Sequence, residues 1–327
     1  MDIDYHKAGE LISQASNILL VSHRKPDGDT LGACLAIYHY VKAMGKQATL
    51  ACIDTPSKRF DFMPGVDEYH KTFSLKDFDL VVVCDAGDSA MTNFHEIYPN
   101  FLSNAVPILN IDHHVSNDHF GKWNVVEATA ASATIIVYKI LKAIGVNITP
   151  AMAICLMGGI YNDTGAFMHA NTNPEVFYIA ADLMSTGIDA SRISAAMFRT
   201  KPVTQLRLWG RVLERMKIND KNVLSAVLTQ DDIRSCGARA DETGGVIDLM
   251  SSVSGADLAM LVTEDGKGFI KGSFRTRRDD IDVEKIAKNF GGGGHKKASG
   301  FRMPGKLVQE TVWKIIPDEG GVGKYVG

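Results

Sequence analysis

The apolar residues of this chain fall into short solid runs, each followed closely by a charge or a turn. Residues 18–22 (ILLVS), 48–53, 79–84 and 106–111 read as strands, the third of them buried throughout. Helical spacing takes over between and after them. A glycine turn leads into a helix over 31–44. The stretch 130–144 (AASATIIVYKILKAI) repeats its apolar positions at helical intervals and stops at Gly145. Thr149-Pro150 opens the next helix, with proline at its first position, and that helix carries Asp163 near its end. Further helices are expected over 174–184 and 191–198. This alternation predicts an α/β fold, a mainly parallel sheet with helices on both faces.

The pattern then changes. Lys201-Pro202 interrupts, and 203–216 resumes helical spacing, so 186–217 reads as a partly helical connection. Strands are expected over 223–229, 258–263 and 268–273, the last two joined by a hairpin turn at 264–267. A short helix over 282–289 runs into four glycines. There is no internal repeat, and the glycine-rich tail after Trp313 is expected to be poorly ordered. The expected division is a first domain over 1–188, a largely helical connector over 189–216 and a smaller α/β accessory domain over 217–327. An active-site cleft is expected between the two domains.

With 327 residues and 45% apolar content, the chain suits two ordinary globular domains. The polar, acidic start does not read as a secretory signal, and no apolar stretch is long enough for a bilayer. A cytoplasmic location without a membrane follows as an expectation. The five cysteines form no CxxC pair and sit mostly in apolar runs, which reads as buried free thiols. A net charge of −3 argues against broad binding of long duplex nucleic acid. Residues 267–302, however, hold ten Lys or Arg against four Asp or Glu. Such a patch suits a small anion or a short strand.

Candidate chemistry sits where the apolar runs end. His23, Asp27 and Asp29 stand in SHRKPDGD, where Pro26 and Gly28 are expected to fold the backbone back. Asp85 stands in VVVCDAGD, Asp112, His113 and His114 in NIDHHVSN, and Asp163 in GIYNDTG. Acids gathered at the carboxyl edge of one sheet repel each other unless cations lie among them. Asp27, Asp29, Asp85 and Asp163 carry four negative charges when ionised, which two divalent ions balance. Asp85, alone on its strand, is the candidate to bridge the ions. Mixed imidazole and carboxylate ligands suit manganese, iron, zinc or magnesium, with manganese the best compromise. Taken singly, each motif is ordinary. An Asp after a strand is usually a turn former or a helix cap, and a lone His is usually structural.

The second chemical segment is NFGGGGHKKASGF at 289–301. Consecutive glycines let backbone N–H groups converge on an anion, with His295, Lys296 and Lys297 beside them. It lacks the Lys-Ser/Thr of a P-loop, and no strand precedes it as in a dinucleotide fingerprint. Arg275, Arg277 and Arg278 follow a predicted strand nearby.

The four acidic and histidine motifs, in this order, resemble the DHH phosphoesterase family, named for the triplet found here as Asp112-His113-His114. GGGGHKKASG resembles the substrate-binding segment of its DHHA1 accessory domain. The resemblance implies two divalent ions, manganese first, held by His23, Asp27, Asp29, Asp85, His113 and Asp163. It implies that Asp112 orients a histidine and that His114 contacts the phosphate or protonates the leaving oxygen. Arg275, Gly292, Gly293, Gly294, His295 and Lys296 are the implied substrate contacts. Members with extra nucleic-acid domains, membrane anchors or a differently built second domain fit this length and this segment less well. What remains resembles the compact nano-RNases, which hydrolyse short oligoribonucleotides and the 3′-phosphate of adenosine 3′,5′-bisphosphate through a metal-bridged hydroxide. A linear or cyclic dinucleotide phosphodiesterase, an exopolyphosphatase-like hydrolase and a noncatalytic nucleotide sensor remain alternatives. A homodimer is a possible assembly.

Overall fold

A computed structural model describes residues 3–103, 105–198 and 201–310. The tail after Trp313 lies outside the described residues. The chain divides into two compact units, Met1–Thr200 and Lys201–Gly327.

The first unit is built on six strands: β1 (Asn17–Ser22), β2 (Gln47–Ala51), β3 (Tyr69–His70), β4 (Leu80–Cys84), β5 (Ile108–Asp112) and β6 (Trp123–Val126). They lie in the order β3-β2-β1-β4-β5-β6 and all pair in parallel. The chain therefore winds outward from β1 in one direction and from β4 in the other. A crevice opens beyond the carboxyl ends of strands where the order reverses. Register sets what meets there. Ser22 pairs with Cys84, and Cys84 with Ile111, so His23, Asp85 and Asp112 leave neighbouring strands at one level.

Both faces of the sheet are covered. Ile18, Leu20, Val82, Leu109 and Ile111 pack under α1 (Tyr5–Gln14), α2 (Gly28–Ala43), α4 (Ala133–Ala143) and α5 (Pro150–Thr164). Leu19, Val21, Val81, Val83 and Ile108 face a thinner layer. It contains α3 (Phe94–Ile97), short helical turns and the aromatics Phe73, Phe94 and Phe101. Each buried Val, Leu or Ile contributes about 1.5–3 kcal/mol relative to an exposed one. Two further helices, α6 (Pro174–Ser185) and α7 (Ala190–Phe198), complete the unit.

α2 is buried almost all round, because α5 lies against it on the side away from the sheet. Glycine makes that approach possible. A Cβ at Gly32 would overlap the Cys155 carbonyl, and one at Gly159 would overlap Thr134 and come within 2.8 Å of Asp29 Oδ1. The start of α2, with Asp27 and Asp29, is thereby clamped beside the end of α5, with Asp163.

The second unit holds α8 (Val203–Glu214), β7 (Lys217–Ile218), β8 (Val223–Leu228), α9 (Gln230–Ser235), α10 (Val246–Met250), β9 (Leu258–Glu264), β10 (Phe269–Arg275), α11 (Val283–Lys288), β11 (Gly293–His295) and β12 (Ala298–Pro304). Its sheet runs β11-β12-β10-β9-β8-β7, with β8 and β9 parallel and the other neighbours antiparallel. Leu208 and Val212 of α8 share its core with Leu224, Leu228 and Leu261.

One feature departs from the sequence reading and another refines it. The glycine segment is not a concave turn: Gly293–His295 form an edge strand that returns through Lys296-Lys297 into β12. Small residues are needed there because a Cβ at Gly292 or Gly294 would strike the backbone of β12. In the SHRKPDGD loop, Lys25 rather than Gly28 takes the left-handed conformation (φ 51°). Gly28 begins α2, and a Cβ there would lie 2.8 Å from Asn162 Cβ. The five cysteines are buried and free, as expected. No described helix is long and apolar enough to cross a membrane.

Candidate metal centre

Each acidic or imidazole group is delivered by a local device. Asp27 caps α2, its Oδ1 accepting from the N–H groups of Asp29 (2.9 Å) and Thr30 (3.3 Å). The ordinary cap and the site member are thus the same residue. Asp29 is wholly buried at the N-terminus of α4, accepting from Ala133 N (2.6 Å) and Thr134 N (2.9 Å). Helix N-termini favour such a negative charge. Asp85 takes the left-handed conformation (φ 61°), which aspartate tolerates better than bulkier residues and which turns the chain as it leaves β4. Asp163 rides the last turn of α5, which ends at left-handed Gly165.

The histidines are fixed from behind. His23 Nδ1 donates to the Arg24 carbonyl (2.8 Å) and His113 Nδ1 to that of Ala130 (3.3 Å). Both Nε2 atoms therefore face the acids. His23 Nε2 lies 3.5 Å from Asp85 Oδ2 and 3.8 Å from Asp27 Oδ1. His113 Nε2 lies 3.2 Å from Asp163 Oδ2, 3.4 Å from Asp85 Oδ1 and 3.8 Å from Asp29 Oδ2. Among the described residues three overlapping groups result: His23–Asp27–Asp85, Asp29–His113–Asp163 and, sharing Asp85 and His113 with these, Asp85–His113–His114.

The chemistry of this donor set fits divalent cations. Asp85 is only 3% exposed, yet its Oδ1 has no hydrogen-bond partner. A buried carboxylate oxygen left this way is costly unless a cation satisfies it. Ligands held about 2.1 Å from one ion sit roughly 3–3.5 Å apart, the spacing of the shorter contacts here. Histidines anchored through Nδ1 to carbonyls, with Nε2 free, are the usual form of metal ligands.

Protonation in the metal-free protein points the same way. Burial pushes His23 and His113 down, but neighbouring carboxylates outweigh it. Asp27 and Asp85 carry His23 up to about 11, and Asp163 and Asp85 lead in carrying His113 up to about 12. Burial, then the nearby acids, pushes Asp29 well above the ordinary carboxylate range. Burial also raises Asp163. Without ions the pocket retains protons to limit its own charge.

Asp112 and His114 form a hydrogen-bonded pair at the edge of this centre. Buried Asp112 accepts from His114 Nδ1 (2.8 Å) and from Asn117 Nδ2 (2.6 Å). These bonds outweigh burial and hold the Asp112 carboxyl low, while Asp112 raises His114. His114 Nδ1 lies 3.7 Å from Asp85 Oδ1, so the ring sits against the metal groups. Asn117 was not singled out in sequence, although it ends the motif NIDHHVSN.

In the second unit Arg275 ends β10 and donates through Nε to Asp248 (2.8 Å). Lys297 pairs with Asp279 (2.7 Å), and Arg278 with Asp257 (3.2 Å) and Asp280 (2.7 Å). Much of the sequence-level positive excess is therefore spent internally. Among the described residues Arg277 and Lys296 make no such pair. Gly293, Gly294, His295 and Lys296 are exposed along the sheet edge.

An imidazole and carboxylate centre at the carboxyl edge of a parallel sheet, followed by a mixed-sheet unit with a glycine edge strand, defines a two-domain class. Residues 17–160 match the DHH family, N-terminal domain, and residues 220–316 match the DHHA1 domain. The chain belongs to this DHH/DHHA1 family of phosphoesterases. It is 29% identical to "Bifunctional oligoribonuclease and PAP phosphatase NrnA" of Thermus thermophilus, over 91% of this chain and 88% of that one. The Bacillus subtilis protein of that name is 24% identical over 88% and 90%. A crystal structure of an exopolyphosphatase-related protein from Bacteroides fragilis superposes with a TM-score of 0.85 at 24% identity, covering 93% of this chain and 92% of the other. That likeness shows the shared fold.

Proposed function

We propose that this protein hydrolyses short oligoribonucleotides to mononucleotides and removes the 3′-phosphate of adenosine 3′,5′-bisphosphate, using two divalent ions, manganese foremost. The buried Asp85 Oδ1, which accepts no hydrogen bond and lies among the imidazole and carboxylate groups, carries this reading. The activities printed for the relatives supply the substrate class.

His23, Asp27 and Asp85 would hold one ion, and Asp29, His113 and Asp163 the other, with Asp85 shared. Such a pair lowers the pKa of water and neutralises charge on a phosphoryl group. The remaining work belongs to the chain. Asp112 fixes the His114 tautomer through Nδ1, which leaves Nε2 to hold a proton for the leaving oxygen or to contact the phosphate. Buried Asp29, pinned by two backbone amides, keeps its pocket from relaxing when charge changes. Arg275, Gly292, Gly293, Gly294, His295 and Lys296 are the proposed substrate contacts. A short ligand suits the small number of unpaired cations on that edge. The chain acts as a soluble cytoplasmic enzyme in this reading.

The test is a substrate panel with manganese, magnesium or chelator. Its members are RNAs of two to five nucleotides, a long duplex, adenosine 3′,5′-bisphosphate, diadenylate and polyphosphate. Mononucleotide and phosphate release from the short RNAs and the bisphosphate, abolished by chelator, is expected. Turnover of polyphosphate alone, or tight nucleotide binding without turnover, would replace the proposal.

A further inference from the structure

Beyond the residues that face the pocket, one exposed side chain ties together the two backbone segments behind His113 and Asp163. Asn171 Nδ2 donates to the Ala131 carbonyl (3.0 Å) and to the Asp163 carbonyl (3.3 Å). Both neighbours are carbonyl oxygens, so the amide nitrogen, not its oxygen, must face them. Ala131 follows Ala130, whose carbonyl receives His113 Nδ1 (3.3 Å). One amide group thus spans from the anchor of His113 to the main chain of Asp163. It closes a ring through the His113 Nε2 to Asp163 Oδ2 approach of 3.2 Å.

The loop that supplies Asn171 is shaped for the purpose. Gly165, Ala166 and Phe167 take φ of 56°, 54° and 70° in succession. A left-handed phenylalanine is uncommon and persists only where its surroundings impose it. Here Phe167 N donates to Thr164 Oγ1 (3.0 Å), and His169 N to the Thr164 carbonyl (2.8 Å). His169 Nδ1 also donates to the Asp163 carbonyl (2.8 Å), but it makes no link to the 130–131 segment. The two side chains therefore do different jobs. His169 finishes the helix, and Asn171 joins the helix end to the other side of the ion pocket.

We infer that Asn171 is a positioning residue that sets the affinity of the Asp29–His113–Asp163 group for its divalent ion. The inference rests on the two-ion reading above. Groups that orient metal ligands typically change affinity 10–100-fold when removed.

The experiment titrates manganese into the chelator-treated full chain and follows the free-ion signal by electron paramagnetic resonance, with melting temperature as the folding control. Wild type is expected to bind two ions. Asn171→Ala should weaken one ion at least about tenfold and leave the other near its wild-type affinity. His169→Ala should change the same ion less. Equal weakening of both ions, or no change in either, in a folded Asn171→Ala protein overturns the positioning role. Failure of wild type itself to bind manganese would instead overturn the two-ion reading. If Asn171→Ala does not fold, Asn171→Leu gives the same comparison, because it removes the amide donor at similar volume without adding a charge.

Discussion

Asp112 accepts the Nδ1 proton of His114 at 2.8 Å while its other oxygen is held by Asn117 at 2.6 Å. The carboxylate cannot turn away, so the imidazole has one tautomer and one orientation. Asp112→Asn should lower kcat about 10²–10⁴-fold, the worth of a positioned acid. Ion stoichiometry should stay at the wild-type value. The check is kcat beside a manganese titration, and loss of ions from Asp112→Asn would contradict the separation of roles.

Asp85 should matter to both stability and activity. Its left-handed backbone suits asparagine as well as aspartate. Asp85→Asn removes the carboxylate that faces both buried imidazoles and should cost the metal-free protein about 1–3 kcal/mol. Ion binding and turnover on every substrate should be lost. Urea unfolding in chelator, read beside activity in manganese, tests both halves. Unchanged stability in chelator would mean that the two imidazoles do not depend on Asp85 when no ion is bound.

The pH dependence has a definite sign. His23 and His113 are raised from about 6.5 to about 11 and about 12 in the folded, metal-free protein. Their contribution to stability is complete below the unfolded value and is lost as pH rises toward those folded values. Asp29 and Asp163 are also raised and act in the same direction from the carboxylate range upward. The melting temperature in chelator should therefore fall between pH 6.5 and 9. The stabilisation by manganese should grow over that interval, because the protons that binding must displace from these imidazoles are given up more readily as pH rises. A flat difference between loaded and metal-free melting curves would contradict this.

Gly159→Ala tests the helix clamp. The new methyl would overlap Thr134 and crowd Asp29 Oδ1. A cost of about 1–3 kcal/mol, the usual price of overpacking, is expected together with weaker ion binding. Gly145→Ala is the comparison, since nothing lies within 4 Å of its Cβ position. Its left-handed φ of 74° still makes it mildly destabilising, but ion affinity should not move.

On the substrate side, His295→Ala should raise KM with kcat and ion content little changed. A matching loss of ions from His295→Ala and Asp85→Asn would refute that division.

Much of this molecule could be read from the chain because its signals are local. Runs such as VVVC before Asp85 can only be buried strands, and Thr149-Pro150 and Gly165 bracket α5 through backbone chemistry alone. What could not be read depends on tertiary partners. β3 has two residues and β6 four, too few to show a period. α9 and α10 are shorter than two turns and are held by packing against the second core. The glycine segment looked like a nest because nothing local announces that β12 will pair with it. Composition also overstated the positive patch, since the acids that quench it include Asp248 and Asp257, outside the counted window. Asn171 is invisible for the same reason: its value lies in reaching Ala131, forty positions back.

The register that brings Ser22 beside Cys84 and Cys84 beside Ile111 also fixes when an ion can arrive. No two neighbours of one strand make the pocket. It exists only after β1, β4 and β5 have aligned and α5 has closed over α2. A cation therefore meets its full set of ligands only in the folded domain. Binding should accordingly act as a late lock, slowing the unfolding of the finished domain far more than it hastens assembly.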